Sequence, residues 1–138
     1  MNNFYEQIKI DEGLRLKPYR CSAGKLTIGV GRNIEENGIS EEEAIHLLKN
    51  DIERSDREVD SVFTDSQIKS LSNQRKEVLV NMMFNLGKKK FLKFKKMIDA
   101  IQFKNWGRAA DEMLDSKWAA QVGRRALRLA NIMRTGYE

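Results

Sequence analysis

The fold of this chain is decided by residues 8–33, IKIDEGLRLKPYRCSAGKLTIGVGRN, where the sequence pattern changes from helix to strand. Apolar residues before Gly13 have helical spacing, and a glycine often follows the last residue of a helix. Over residues 26–30 apolar residues alternate with small or polar ones, which is typical of a β-strand. Residues 22–25 supply a turn. We therefore predict a helix that ends at Glu12, followed by a β-hairpin.

Three residues of this segment carry groups suited to hydrolytic chemistry, namely Glu12, Cys21 and Thr27. Glu12 lies at the predicted helix end, where the negative end of the helix dipole disfavours a carboxylate and so favours a proton donor. Thr27 points away from the apolar face of its strand, towards the side that Glu12 faces. Each also has an ordinary structural explanation: a solvated helix end, a small buried residue and a strand former. Spacing alone does not decide between these interpretations.

The same segment resembles the active-site segment of the T-even phage lysozyme family, muramidases that cut the glycan strands of bacterial cell walls. The family pattern is Glu, eight residues, Asp or Cys, five residues and Thr, and Glu12, Cys21 and Thr27 match it residue by residue. Three further matches follow in the family's order: NMMFNLG at residues 81–87, KNWGRAADEML with SKW at residues 104–118, and RRALR with MRTG near the C-terminus. Separated matches in order are more specific than one short motif.

The resemblance implies an α+β, mostly α, lysozyme-like fold in a single catalytic domain, residues 1–138. A small lobe with a short β-hairpin or sheet is expected over about residues 13–45. A long helix is expected to join it to a helical lobe over about residues 60–138, which would also include the N-terminal helix.

Local signals in the rest of the chain agree with a mostly helical protein. Residues 33–38 are interpreted as a short loop, and the capping-box pair Ser40 and Glu43 predicts the start of a helix. Its apolar positions keep helical phase to Phe63. Later apolar stripes predict shorter helices, one of which ends at Gly87. The two tryptophans are interpreted as core residues.

Composition fits one domain and excludes several other classes. A chain of 138 residues, 41% hydrophobic and 33% charged, is long enough to bury a core. Its single Cys excludes an internal disulfide and gives no metal-site spacing, so neither a redox scaffold nor a zinc module is supported. The N-terminus lacks the apolar run of a secretory signal, and no segment is long enough to cross a membrane. We therefore expect synthesis in a host cytoplasm, without a signal peptide or a stable membrane anchor.

The chain has a net charge of +5, and residues 88–96, KKKFLKFKK, hold most of it locally. A positive excess suits an acidic partner, such as nucleic acid, an anionic membrane or a carboxylate-bearing wall polymer. A solvated surface is the simpler explanation of residues 88–96. A cationic enzyme that meets a negatively charged wall faster would lose activity as salt is added.

The resemblance also implies a reaction: cleavage of the β-1,4 bond between N-acetylmuramic acid and N-acetylglucosamine. Glu12 would be the general acid, and Thr27 would hold the attacking water. Cys21 stands where other members have Asp; inversion with Cys21 assisting is expected, and a covalent, retaining route through Cys21 stays open. Phe84 would line the saccharide cleft, and Arg125 would hold Glu12 in place. Neither route needs a metal or an organic cofactor.

The implied biological role is that of an endolysin in host cell lysis. It would act as a monomer on peptidoglycan, in the periplasm or cell wall, after a separate membrane-pore protein releases it. A tail-borne lysozyme, a prophage relic and a bacterial toxin stay open.

Two other classes also stay open. A catalytically silent wall-glycan-binding module would lack the acid, whereas Glu12 is present. A basic helical nucleic-acid-binding protein would have few acidic residues on its helices, whereas here they are spread throughout.

Overall fold

The computed structural model describes residues 2–137, and within them it contains ten helices and one antiparallel sheet of three strands. The predicted α+β, mostly α fold class is confirmed. Backbone contacts divide the chain into two compact units, Met1–Leu47 and Leu48–Glu138. None of the helices in residues 2–137 has the length and apolar character that a membrane span requires.

The first unit contains α1, the whole sheet, α2 and the start of α3. As predicted, α1 ends at Glu12: the amide of Gly13, at φ +77°, donates to the carbonyl of Lys9 at 2.8 Å. The prediction of a loop over residues 33–38 is wrong, because the Asn33 side chain accepts from the amide of Glu36 and caps a one-turn helix. The elements are α1 (Asn2–Glu12), β1 (Arg15–Arg20), β2 (Leu26–Gly29), β3 (Arg32–Asn33), α2 (Ile34–Asn37) and α3 (Glu41–Val62).

The sheet has the order β1-β2-β3, so β2 is its central strand. Thr27 of β2 is paired on both sides, with Tyr19 of β1 and Asn33 of β3. The register of β1 shifts between Arg15 and Tyr19. Pro18 lies in this interval and has no amide hydrogen to give to the ladder. Central position and double pairing fix Thr27 more firmly than any residue of an edge strand.

The boundary between the units falls within α3, the helix predicted to join the two lobes. The capping box that starts α3 is confirmed: the Ser40 amide donates to the Glu43 carboxylate at 2.8 Å, and the Glu43 amide donates to the Ser40 hydroxyl at 3.1 Å. The predicted lobe bounds, with the N-terminal helix in the helical lobe, stay a prediction. The second unit continues with α4 (Asp65–Lys69), α5 (Asn73–Leu86), α6 (Lys88–Phe91), α7 (Lys95–Gln102), α8 (Trp106–Leu114), α9 (Lys117–Val122) and α10 (Arg124–Thr135).

The hydrophobic core lies in the second unit, and the largest side chains at its centre come from α5, α6, α7, α8 and α10. Trp118 is buried as predicted, and its indole N–H donates to the side-chain oxygen of Asn85 at 2.8 Å. Trp106 is partly buried, packs against the core and lies under the guanidinium of Arg75 at 4.3 Å. Arg75 also donates to the carbonyl of Met133 near the C-terminal end of α10. These contacts hold α5 and α10 together.

Candidate functional site

Cys21 and Thr27 lie close together at the turn between β1 and β2. The Cys21 amide donates to the Lys25 carbonyl at 2.9 Å, and the Gly24 amide donates to the Cys21 carbonyl at 2.8 Å. Thr27 is only 3% exposed, and its hydroxyl donates to the same Lys25 carbonyl at 2.8 Å. The side chains of Cys21 and Thr27 are within hydrogen-bonding reach of each other. The turn therefore brings a thiol and a hydroxyl to one point.

The backbone of this turn lowers the pKa of the Cys21 thiol below its ordinary value of 9.0. The largest cause is the hydrogen bond from the backbone of Lys25, followed by that from Ala23; the Thr27 side chain adds to them, and desolvation opposes them. Such donors favour the charged thiolate over the neutral thiol. Since Cys21 is half-buried, it remains open to small molecules. The site thus contains a sulfur that ionises more readily than an ordinary cysteine and can accept a proton.

The Thr27 hydroxyl has a single proton, which it donates to the Lys25 carbonyl and can donate instead to the Cys21 sulfur when that sulfur is ionised. Its oxygen lone pairs stay available to accept a hydrogen bond from a water or another donor. Because Thr27 is held on both sides of the central strand, this oxygen has a fixed position. That is the property needed in a residue that orients a water molecule.

The carboxylate of Glu12 lies against the backbone of Gly31, in the connection between β2 and β3. A Cβ atom at Gly31 would be 2.7 Å from Oε2 of Glu12, closer than such atoms come in proteins, and 3.0 Å from Cδ. Gly31 also has φ +66°, in the left-handed region that favours glycine. Gly29, two residues earlier, has φ +74° but nothing within 4 Å of the same position. Gly31 is therefore a site residue that sequence reasoning did not include among the functional ones.

The signal for Gly31 in the sequence was weak. Gly29 and Gly31 both stand in the run TIGVGR, and both suit a tight turn. Spacing does not tell which of the two lies against the acid, since that depends on where the Glu12 side chain lies in the folded first unit. The structure places the Glu12 carboxyl beside the connection that joins β2, the strand of Thr27, to β3.

Phe84 and Arg125 both line a cavity of about 580 Å³ in the second unit. Phe84 is 43% exposed although its neighbour Met83 is buried, so it is not a core residue. Arg125 donates from Nε and Nη2 to the side-chain oxygen of Asn81 at 2.9 and 2.7 Å. The predicted roles of Phe84 at the saccharide and of Arg125 at Glu12 stay predictions. The cavity is lined by Leu48, Ile52, Glu53, Asp56, Lys76, Glu77, Val80, Asn81, Phe84 and Arg125.

Asn81 is a second residue that sequence reasoning missed. It precedes Phe84 by three residues on α5, and it begins the matched run NMMFNLG. Its amide oxygen accepts both hydrogen bonds from Arg125, which fixes the orientation of the guanidinium plane. The match was visible in the sequence, but the pairing joins residues 44 positions apart and only the fold brings them together.

The first unit contains one further organised charge pair. Arg32 donates to both carboxylate oxygens of Glu43, at 3.0 and 2.7 Å, and also to the Gly38 carbonyl. The Arg32 hydrogen bonds, and then that from the Ser40 backbone, lower the pKa of Glu43 to about 2. This pair links the end of the sheet to the start of α3. Among residues 2–137, the acidic, histidine and cysteine side chains form no group that could hold a metal ion.

Comparison with known proteins gives consistent similarities. The sequence model of the family described as phage lysozyme matches residues 9–134. Probable T4-type lysozyme 2 of Dictyostelium discoideum is 30% identical over 164 residues, which cover 99% of this chain and 96% of that protein. The endolysin of Salmonella phage P22 is 30% identical over 121 residues, 82% of this chain and 80% of that protein. The pre-baseplate central spike protein Gp5 of Enterobacteria phage T4 is 31% identical over 157 residues, 95% of this chain and 27% of that protein.

Proposed function

Because this chain belongs to the phage lysozyme family and is a lysozyme, a hydrolase of peptidoglycan, we propose that it cleaves the glycan by general acid catalysis at Glu12. The bond cut is the β-1,4 bond between N-acetylmuramic acid and N-acetylglucosamine. The observation that carries this proposal is the position of the Glu12 carboxylate, at the end of α1 and against Gly31, in the connection that joins β2, the strand of Thr27, to β3.

In the proposed reaction the proton of the Glu12 carboxyl passes to the glycosidic oxygen as the C–O bond breaks. Glu12 is exposed, so a sugar oxygen can approach it. The anomeric carbon becomes oxocarbenium-like and is attacked by a water molecule. The Thr27 oxygen accepts a hydrogen bond from this water and sets its position, which lowers the entropic cost of the attack.

Cys21 is proposed to receive the proton that the attacking water loses. The backbone donors that lower the pKa of its thiol support this role, because the thiolate is the form that can act as a base. A carboxylate at the corresponding position of other members would do the same. Attack by water gives inversion at the anomeric carbon. Direct attack by the Cys21 sulfur would give a covalent intermediate and retention, and the anomer formed first distinguishes the two routes.

Two residues of the second unit are proposed to support this chemistry on the basis of the family resemblance. Arg125, oriented by Asn81, would hold the Glu12 carboxyl, and the exposed ring of Phe84 would contact a sugar. A flat apolar ring suits the apolar face of a pyranose. The subsite preferences of relatives are not transferred to this protein, because they depend on the side chains that line its own cavity.

The proposed biological role is host cell lysis by an endolysin, made in the host cytoplasm and released to the wall by a separate pore-forming protein. Similarity to the P22 endolysin over most of both chains supports this role. Similarity to part of the spike protein Gp5 favours the second candidate, a lysozyme borne on a phage tail. We propose that the protein acts as a monomer and does not bind nucleic acid.

The experiment that tests the reaction is digestion of purified Gram-negative peptidoglycan by the wild type and by Glu12→Gln. We expect the wild type to release fragments with reducing muramic acid ends, and the variant to be slower by about 100-fold or more, because general acid catalysis typically contributes 10²–10⁴-fold. Mass spectrometry identifies the ends, and NMR of fresh products identifies the anomer.

Other outcomes would contradict the proposal. Anhydro-muramic ends would make the protein a transglycosylase and remove the water-holding role of Thr27. Equal rates for the two proteins would remove Glu12 as the acid. Binding without cleavage by either protein, on several walls, would favour the silent wall-glycan-binding module.

A further inference from the structure

The net positive charge of the protein is concentrated in one short segment. Residues 88–96, which we call the lysine segment, contain six Lys and no acidic residue. The rest of the chain has 19 Lys and Arg against 20 Asp and Glu, so without this segment the protein would be close to neutral. The lysine segment is therefore the densest cluster of positive charge in the chain, although residues 117–137 also contain five Lys and Arg and no acidic residue.

The structure separates the lysines of this segment from its apolar residues. Phe91 and Met97, just beyond the segment, are fully buried, and Phe94 packs against the core. All six lysines are exposed. The apolar side chains thus anchor α6 and the start of α7 in the second unit, and the ammonium groups lie together on its surface.

Seven positive side chains outside the lysine segment form ion pairs within residues 2–137, whereas the six lysines of the segment form none there. Ion pairs outside the lysine segment involve Arg20, Lys25, Arg32, Arg54, Lys76, Arg108 and Arg134. Within residues 2–137, the six lysines of the segment make no ion pair or side-chain hydrogen bond. Asp99, the next acidic residue along the chain, is paired with Arg108 at 2.9 Å. The charge of the segment is therefore available to a partner outside the chain.

Folding does not explain this arrangement of charge. Lys95 and Lys96 begin α7, which has no acidic residue in its first turn, and Lys88, Lys89 and Lys90 crowd three positive charges into the single turn of α6. Positive side chains at the N-terminal end of a helix oppose its dipole, and neighbouring lysines repel one another. A segment selected for stability alone would carry acidic residues at these positions.

We propose that the lysine segment is a docking surface for the carboxylate groups on the peptide stems of the wall polymer. This rests on the proposed function, in which peptidoglycan is the substrate, and names the part of that polymer that the surface binds. Lysine ammonium groups are compact point charges that suit many scattered carboxylates.

The same composition argues against two other polyanionic partners. The segment contains no Arg for bidentate phosphate contacts, and Phe91 and Phe94 are turned inwards and unable to stack on bases. Only Leu92, at 42% exposed, offers an apolar side chain that could enter a bilayer. The composition of the lysine segment therefore suits nucleic acid and membrane less well than the carboxylates of the wall polymer.

The docking surface would act on association and not on bond cleavage. Attraction between exposed charges extends over a Debye length of about 8 Å at physiological salt. It keeps the enzyme near an insoluble substrate and raises the encounter rate. Loss of the segment's charge should therefore raise KM on intact wall and leave kcat nearly unchanged.

Two triple variants separate the lysine segment from net charge in general. One is Lys89→Gln, Lys93→Gln and Lys96→Gln, and the matched control is Lys49→Gln, Lys69→Gln and Lys117→Gln. Each removes three exposed positive charges and replaces Lys by a residue of similar helix propensity. Both are made in the Glu12→Gln background, so that binding is measured without digestion, and circular dichroism checks that both fold.

Binding is measured by co-sedimentation with purified peptidoglycan at low and high salt. At low salt we expect the segment variant to bind at least about tenfold more weakly than its parent and to lose most of the salt dependence, because lysines near an anionic surface attract it and salt screens this attraction. We expect the control to bind within about twofold of the parent. The parent should bind amidated peptidoglycan, whose carboxyl groups are blocked, as weakly as the segment variant binds unmodified peptidoglycan.

Several results would overturn the inference. An equal loss of peptidoglycan binding in both triple variants would assign the effect to net charge. Unchanged binding of the segment variant would show that the lysine segment is not a docking surface. Undiminished binding of the parent to amidated peptidoglycan would exclude carboxylates as the ligand. Tighter, segment-dependent binding to duplex DNA or to phosphatidylglycerol vesicles than to peptidoglycan would assign the surface to nucleic acid or membrane.

Failure of this inference is distinguishable from failure of the proposed reaction. Sedimentation does not depend on catalysis, whereas an error in the acid would appear as digestion by Glu12→Gln. With Glu12 intact, the segment variant should also keep wild-type turnover on a short oligomer of alternating N-acetylglucosamine and N-acetylmuramic acid whose carboxyl groups have been amidated. A large loss of turnover there would show that the segment acts on the reaction and not on docking.

Discussion

The two units of this protein are stabilised by different means. Among residues 2–137, every buried hydrophobic side chain lies in the second unit, and the one buried side chain of the first unit is that of Thr27. The second unit therefore depends on burial of apolar surface, which stabilises by about 25 cal/mol per Å². The first unit depends on its sheet, its turns and ion pairs such as that between Arg32 and Glu43.

This difference places the proposed chemistry in the more polar unit. Glu12, Cys21 and Thr27 all lie in the first unit, at the end of a helix, in a turn and on a central strand. Their positions are set by backbone contacts such as those of Gly31 and Lys25. Polar geometry of this kind holds the reactive groups in place while leaving Glu12 and Cys21 accessible, at the expense of local stability.

The largest expected effect is a difference in the free energy of unfolding between two Leu→Ala substitutions, one in each unit. Leu79→Ala removes a fully buried side chain of the second unit, and it should lower the free energy of unfolding by about 3 kcal/mol or more. Leu16→Ala changes a residue of the first unit that is 81% exposed, and it should stay within about 0.5 kcal/mol of the wild type. Urea unfolding measures both. Similar costs at the two sites would show that the comparison is wrong.

The next effect separates two glycines of the first unit. Gly31→Ala should lower kcat by about 100-fold, because its methyl group would displace the Glu12 carboxyl, and a misplacement of about 1 Å can have this effect. Gly29→Ala carries a similar left-handed strain but meets no atom within 4 Å, so it should keep kcat per folded molecule. Kinetics on peptidoglycan, with KM measured separately, test the pair. Equal losses would assign the effect to backbone strain.

A smaller effect concerns the thiol of Cys21. Since backbone donors lower its pKa, the thiolate should form below pH 9.0, and alkylation by iodoacetamide should reach half its maximal rate below that pH. Thr27→Val removes one of the contributing hydrogen bonds and should move the midpoint part of the way back. Mass spectrometry follows the reaction against pH. An alkylation midpoint at pH 9.0 in the wild type would contradict the proposed role of Cys21 as the base.

The smallest effect is expected from the ion pair of Arg32 and Glu43, because both side chains are partly exposed to solvent. The pKa of Glu43 is lowered from 4.5 to about 2, so its contribution to stability is complete above pH 4.5 and is lost as the pH falls through 2. Glu43→Gln should remove this part of the acid dependence. Thermal unfolding of both proteins across this range measures it, and identical profiles would show that the pair contributes nothing.

Short-range signals were predictable from the sequence. The end of α1 at Gly13, the capping box of Ser40 and Glu43, and the end of α5 at Gly87 each involve residues three or four apart. The same kind of signal was misread over residues 33–38, where Asn33 caps a one-turn helix. A single turn has too few apolar positions to show a helical period.

The sequence by itself determined the fold class, the order of the elements and the residue types at the candidate site, because helix ends, strand alternation and motif spacing are properties of neighbours in the chain. Only the tertiary structure decided that Gly31 and not Gly29 lies against Glu12, that Asn81 binds Arg125, and that the lysine segment has no acidic partner within residues 2–137. These facts depend on distances between residues that are far apart in sequence, and those distances are fixed by how the helices and the sheet pack.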